Sequence, residues 1–510
     1  MKSLFFISLF FLTTVVKAQT ASELFNEGKL KLDTKDFKGA IENLSNSILL
    51  DSSKAIYFKY LGKAQYEIGS YDKAIANFTI AIQKDSLNPQ HYFLRGNTER
   101  KIRDYTAAIE DYEIAISIDS LYRDAFFECA QAKSEIGANR DAISELTNCI
   151  QIDSTYEQAY HMRGVLLSHI TRYEEALKDF NTAITLSPNN ANTYANRANT
   201  YLQLNNINSA ALDFNKVLEL DKKNVNAYLK RAQIKYQLGD KIGAITDLNF
   251  LIDIDQEHVQ AILSRANIKK EMSNYLNAIE DYSRILSIET KLDSITFEIY
   301  LNRGESFLKS GDLDKANHDF MFVLKNDSTF SDAYYFLGEL KIISGEPNKG
   351  LELYTKSLSY DSLNSKVYFS RGKLQQELRN YTGAQDDYAK ALEINPNFVQ
   401  TYIHRSLMRM ELGDHRGALI DAKKAMELSP KNPDIIKTSA LIKFKLALYP
   451  ESIIDYTLAI EQAPKDPLLL KFRGEAKFKL NDKNGACQDW QKAHLMGNSE
   501  SLELIQINCN

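Results

Sequence analysis

The feature that most constrains this chain is a 34-residue period that starts at residue 21 and runs almost to its end. Segments 57–86, 92–120 and 368–396 display it. Each has an aromatic or large apolar residue, a small residue four later, another small residue twelve further on, then an aromatic and then Ala. Repeats start at 21, 55, 89, 123, 157, 191, 225 and 259 without a gap. Four residues, Asp293 to Thr296, intervene, and starts resume at 297, 331, 365, 399, 433 and 467. Numbered 1 to 14, these repeats imply a stacked array in which no single unit can bury its own apolar face. Small residues at position 8 (Gly28, Gly62, Gly96, Ala130, Gly164, Ala198) and position 20 (Ala40, Ala74, Ala108, Ala142, Ala176, Ala210) let two helices approach closely. Large residues at positions 4 and 24, such as Tyr160 with Phe180, fill the space beside them. Glycine (21) and proline (9) are scarce in 510 residues, which argues against a loop-rich β architecture. Pro89, Pro433 and Pro467 fall at first-helix starts, and Pro347 and Pro450 read as turns between paired helices.

The pattern resembles the tetratricopeptide repeat (TPR) family, whose unit is two antiparallel helices. The resemblance implies an all-α, right-handed α-solenoid superhelix of about 14 helical hairpins. Repeats 1–8 then cover 21–292, an insertion covers 293–296, and repeats 9–14 cover 297–500. Leu502, Leu504 and Ile505 suggest a capping helix over 499–510. The insertion is expected to alter the stack locally, by changing the rotation between neighbours or by extending a helix.

Residues 1–18 read as a signal peptide: Lys2, an apolar run from Leu4 to Val16, then Val16 and Ala18 as a small-residue cleavage pattern. The run is shorter than the ~20 residues a membrane span needs. The expectation is an exported bacterial protein, periplasmic or secreted, cleaved near Ala18 and without a transmembrane segment.

Nine repeats carry Arg at position 7: Arg95, Arg163, Arg197, Arg231, Arg265, Arg303, Arg371, Arg405 and Arg473. A row of arginines suggests phosphate or nucleic-acid binding, but the same nine carry Asp at position 23. These are Asp111, Asp179, Asp213, Asp247, Asp281, Asp319, Asp387, Asp421 and Asp489. Of the five repeats without the Arg, one has that Asp, Asp455. In a hairpin that turns near position 15 the two positions lie level, so an ion pair inside each repeat is expected. The net charge of -5 also speaks against a nucleic-acid partner.

HExxH, GxSxG, GxGxxG and the phosphate-binding GxxxxGK[ST] motif do not occur, and no enzyme, cofactor or metal site is expected. His161 and His169 sit eight residues apart on one predicted helix, a rise of ~12 Å, too far to share a metal. Asp-Ser pairs at repeat ends (Asp51, Asp85, Asp119, Asp153) are expected to shape turns and cap the helix that follows.

The resemblance places partners on a concave face made by positions 2, 5, 9, 12 and 13 of each first helix. The carboxylate clamp of chaperone-binding TPRs does not carry over. Lys59, Lys63 and Asn97 suit its first two elements, but Phe127 and Gln131 fail the third. The middle of the array is rich in amides: Asn97, Gln131, Asn199, Gln233 and Asn267 at position 9, and Asn192 and Asn226 at position 2. Amides both donate and accept, so they can pair with an extended peptide backbone of any sequence. The row is similar to the asparagine ladder in the TPR superhelix of O-GlcNAc transferase, broken here at Val165. Later repeats instead offer Tyr335, Phe369 and Phe444, with Lys366, Lys373 and Lys437, a mixture suited to an acidic-apolar segment.

The function expected is a non-catalytic protein-interaction scaffold. A sequence-tolerant peptide-binding or chaperone-like module, and a regulatory or targeting subunit of a partner enzyme, are the alternatives. Cys487 and Cys509 are the expected disulfide, tying the last repeat to its cap. Cys129 and Cys149 are expected to stay reduced and buried.

Overall fold

A computed structural model describes residues 19–289 and 291–509; the leader at 1–18 lies outside the described residues. Among the described residues 29 helices follow one another with no strand. The chain divides into two compact units, one ending at Gln256 and the next beginning at Glu257. The first holds the helices of repeats 1–7; the second holds those of repeats 8–14 and a terminal helix, Glu500–Asn508.

Every repeat is an antiparallel pair, such as Glu157–His169 with Tyr173–Leu186. The hairpin turns at position 15, where the backbone is left-handed in all fourteen repeats. Six of these residues are glycine; Thr171, with φ 62°, is one of eight that are not. Side chains at position 16 cap many of the second helices: Asp36, Asp104, Asp240 and Asp414 each accept from the amide three residues on. Position 34 caps the next first helix through Asn88, Asn190, Asn224 and Asn364. The position-31 aspartates therefore do half of what was expected. Asp51, Asp119 and Asp153 fold the inter-repeat turn by accepting the amide two residues on, and capping passes to position 34. Pro347 and Pro450 sit in the first turn of second helices, not in the turns themselves, where a missing N–H costs little.

The core lies between the paired helices and continues between successive repeats. A Cβ on Gly164 would stand 2.8 Å from the Phe180 ring, and one on Gly62 would stand 2.7 Å from Phe78. Position 8 is small because the aromatic at position 24 lies directly against it. The four inserted residues do not form a loop. They lengthen a first helix to seventeen residues, Ser294–Ser310, capped by Asp293, and it still packs on the preceding helix. At the C-terminus, Cys487 and Cys509 form a disulfide with Cα atoms 5.8 Å apart, fastening the terminal helix to repeat 14. Cys129 and Cys149 are free and buried, and burial pushes their thiols up to about 12 and about 11.

Candidate functional site

The arginine row faces inward. In all nine repeats Arg Nε and Nη2 donate to the two carboxylate oxygens of the position-23 Asp of the same repeat, at 2.6–2.9 Å. These aspartates are buried, between 1% and 6% exposed. With both oxygens committed, the pairs hold hairpins together and leave the arginine fork unavailable to a phosphate.

Two further layers of this network were missed in the sequence. Arg Nη1 also donates to position 25 of the preceding repeat, as it does to Thr79, Thr147, Asn181, Asn215, Ser283, Thr355 and Thr457. The guanidinium thus ties neighbouring repeats as well as its own hairpin. The recurrence of short polar residues at position 25 was the available signal. Position 11 adds a second cation in several repeats, as Lys235 does to Asp247 and Arg409 to Asp421. In repeat 4, where Cys129 replaces the Arg, Lys133 alone bridges Glu145 and Glu113 at 2.8 and 2.9 Å. Cys129, Glu113 and Glu145 converge closely enough to hold a metal, but the Lys133 ammonium already supplies the positive charge there.

Repeat 3 breaks this rule. Glu99 occupies position 11, so two carboxyls share Arg95: Asp111 binds it at 2.7 Å and Glu99 lies at 3.8 Å. Burial first, then the Asp111 charge, hold Glu99 up to about 7 against the pull of Arg95.

The residues expected on the partner-binding face divide sharply. Asn192, Asn199 and Asn226 are exposed, and Gln131 and Gln233 are half-buried. Asn97 and Asn267 are engaged from within: the Tyr112 hydroxyl donates to Asn97 Oδ1 at 2.7 Å, and Tyr282 does the same to Asn267 at 2.6 Å. The residue at position 24 decides this, because a tyrosine hydroxyl reaches the position-9 amide and a phenylalanine has none. The later aromatics correct the expectation of an open apolar face. Tyr335 is 7% exposed, stacked 5.7 Å from Tyr354 and covered by the Lys366 ammonium at 4.6 Å. Phe369 packs against Tyr388, Phe398 and His404, and Phe444 packs against Tyr449. Lys373 is exposed, 3.9 Å from Glu377.

In the first unit the first helices of repeats 5 and 6 flank a recess of about 250 Å³ lined by Val165, Ser168, His169, Phe180, Asn199 and Gln203, among others. Repeats 2 and 3 flank a smaller one, about 120 Å³, lined by Lys63, Tyr66, Glu67, Phe78, Leu94 and Asn97. No described helix is long and apolar enough to cross a membrane.

Family models described as tetratricopeptide repeat match residues 59–123, 191–224 and 365–398, and one described as TPR repeat matches 172–205. The chain is a tetratricopeptide-repeat protein, folded as an all-α TPR solenoid, and it is built as a protein-interaction scaffold. No curated protein matches it. Among solved structures it is similar to MamA, at 24% identity over 34% of this chain and 94% of that one, with a TM-score of 0.32. YrrB, a TPR protein with an unusual peptide-binding site, is 19% identical over 36% of this chain and 95% of that one, TM-score 0.34. A tetratricopeptide repeat protein from Parabacteroides merdae is 20% identical over 50% of this chain and 98% of that one, TM-score 0.35.

Proposed function

We propose that this chain is a non-catalytic, exported scaffold that holds partner proteins through extended segments laid along the first-helix face of its first unit. The observation that carries this is the set of amides on that face. Asn192, Asn199, Gln203 and Asn226 are exposed, and each offers a donor and an acceptor to a peptide backbone. The arginines that would attract nucleic acid are turned inward onto aspartates, which favours a protein partner. Export is supported by the leader sequence and by the Cys487–Cys509 disulfide, a bond that persists in oxidising compartments.

The test is an unbiased array of extended peptides probed with the full mature chain. Binding spread over many unrelated sequences, weakened by Asn199→Ala with Asn226→Ala, is expected. Absence of binding across the array contradicts the reading. Binding confined to one sequence class points instead to a dedicated receptor for a single partner.

A further inference from the structure

The two recesses on the first-helix face of the first unit are built from the same repeat positions. Lys63, Tyr66, Glu67, Phe78, Leu94 and Asn97 correspond one for one to Val165, Ser168, His169, Phe180, Asn196 and Asn199, three repeats later. Both are floored by a phenylalanine at position 24. Their rims differ in two respects that bear on a ligand. The first recess has Lys63 and Glu67 at its mouth, and its Asn97 oxygen is held by Tyr112. The second has Val165 where the first has Lys63, and its Asn199 is exposed.

Three of the other polar groups around the second recess bond one another. Ser168 and Thr200 bond each other at 2.8 Å, and Thr200 also donates to the Asn196 carbonyl. The rest of the lining is half-buried Val165 in front of the fully buried Phe180, two exposed amides, Asn199 and Gln203, and the rings of His169 and Tyr173. A volume of about 250 Å³ falls below the ~300–1,000 Å³ of small-molecule pockets, so the recess suits one side chain of a longer ligand. An apolar floor flanked by amides matches one chemistry: an aliphatic side chain projecting from an extended backbone that the amides hold.

Building on the peptide-binding reading above, we infer that the recess between repeats 5 and 6 is a specificity pocket. It takes an uncharged aliphatic side chain of an extended partner segment, with Asn199 and Gln203 pairing to the backbone on either side. The amides supply sequence-tolerant grip and the Val165–Phe180 floor supplies selectivity. Lys63 at the equivalent place in the first recess would not favour the same side chain.

The experiment uses the full mature chain, immobilised, and pools of acetylated, amidated nonapeptides. Each pool has Ala, Leu, Phe, Asp or Lys fixed at the centre, with the flanking positions randomised among Gly, Ala, Ser and Thr. The Leu pool should bind more tightly than the Asp and Lys pools. Val165→Phe fills the recess and should cost the Leu pool about tenfold, the burial of one aliphatic side chain. Leu212→Phe, at an exposed position of the second helix of repeat 6, should change nothing. Asn199→Ala, at an exposed site that leaves folding intact, should weaken all pools alike and keep the order among them. Binding that is indifferent to the central residue, or a Leu preference that survives Val165→Phe in a chain melting as the parent does, overturns the pocket and leaves the peptide-binding reading standing. Failure of every pool to bind overturns both.

Discussion

The first-helix faces of the two units carry different side chains at different repeat positions. In the first unit, positions 2 and 9 carry amides, and three of them, Asn192, Asn199 and Asn226, stand open. In the second, position 5 carries aromatics that turn into the stack: Tyr335 lies on Tyr354, and Phe369 lies among Tyr388, Phe398 and His404. Those rings pack against residues of neighbouring helices, whereas the open amides stay on the surface. Position in the repeat therefore selects a face, and side-chain reach decides whether the residue stays on it. The same logic runs within the first unit, where Tyr112 takes Asn97 out of the open row and Phe214, which has no hydroxyl, leaves Asn199 in it.

Each unit has its own set of Arg–Asp pairs beneath its face, and losing one should outweigh any change on the faces. Asp421 is a demanding site, because Arg405 and Arg409 both bind it. Asp421→Ala takes the carboxylate from Arg405 and leaves Arg409 only the more distant Asp414, and should cost about 3–5 kcal/mol, read from urea unfolding. A cost below ~1 kcal/mol would mean that these pairs are solvated surface contacts. Next in size is a direct test of the contrast between faces. Tyr335→Ala empties a packed site and should cost about 3–4 kcal/mol. Asn199→Ala should change stability by less than ~0.5 kcal/mol. Equal costs would erase the distinction drawn between buried aromatics and open amides.

The terminal helix sharpens the second unit further. Reducing the Cys487–Cys509 bond should lower the stability of the cap by roughly 3 kcal/mol in the chain-entropy description. Hydrogen exchange over residues 500–508 would show it as faster opening there, with repeats 8–12 unmoved. A smaller effect than that of the disulfide belongs to Glu99. Its ordinary value is 4.5, and the folded protein holds it near 7, so the native state keeps a proton that the unfolded chain has released. Stability then falls as pH rises from 4.5 to about 7, with the whole penalty present above that. Glu99→Gln removes the penalty and should stabilise the first unit by ~1–2 kcal/mol at pH 8, after allowance for solvent screening, and by almost nothing at pH 4. A gain independent of pH would refute the charge explanation.

The fold was legible because a 34-residue period is a global signal: every repeat restates it, and errors at one position are outvoted. The Arg–Asp pairs were legible for a related reason, since Arg197 and Asp213 recur together at fixed spacing within one hairpin. What crossed between neighbours was not. Asn181 looks like any exposed second-helix residue until the next repeat brings Arg197 onto it. The hydroxyl of Tyr282 reads as part of a core aromatic, and only the packed hairpin shows it holding Asn267. Tyr335 was placed on the face by its position number, and its burial depends on Lys366 and Tyr354, which lie in the next repeat and the opposite helix.

The central claim, that extended segments bind along the first-helix face of the first unit, is tested most directly by hydrogen–deuterium exchange with a peptide selected from the array. The account predicts added protection in the first helices of repeats 5 and 6, Glu157–His169 and Ala191–Gln203, with the second helices of those repeats unchanged. Protection concentrated on the second helices, or on the first helices Ser365–Glu377 and Pro433–Lys445 of the second unit, would contradict it.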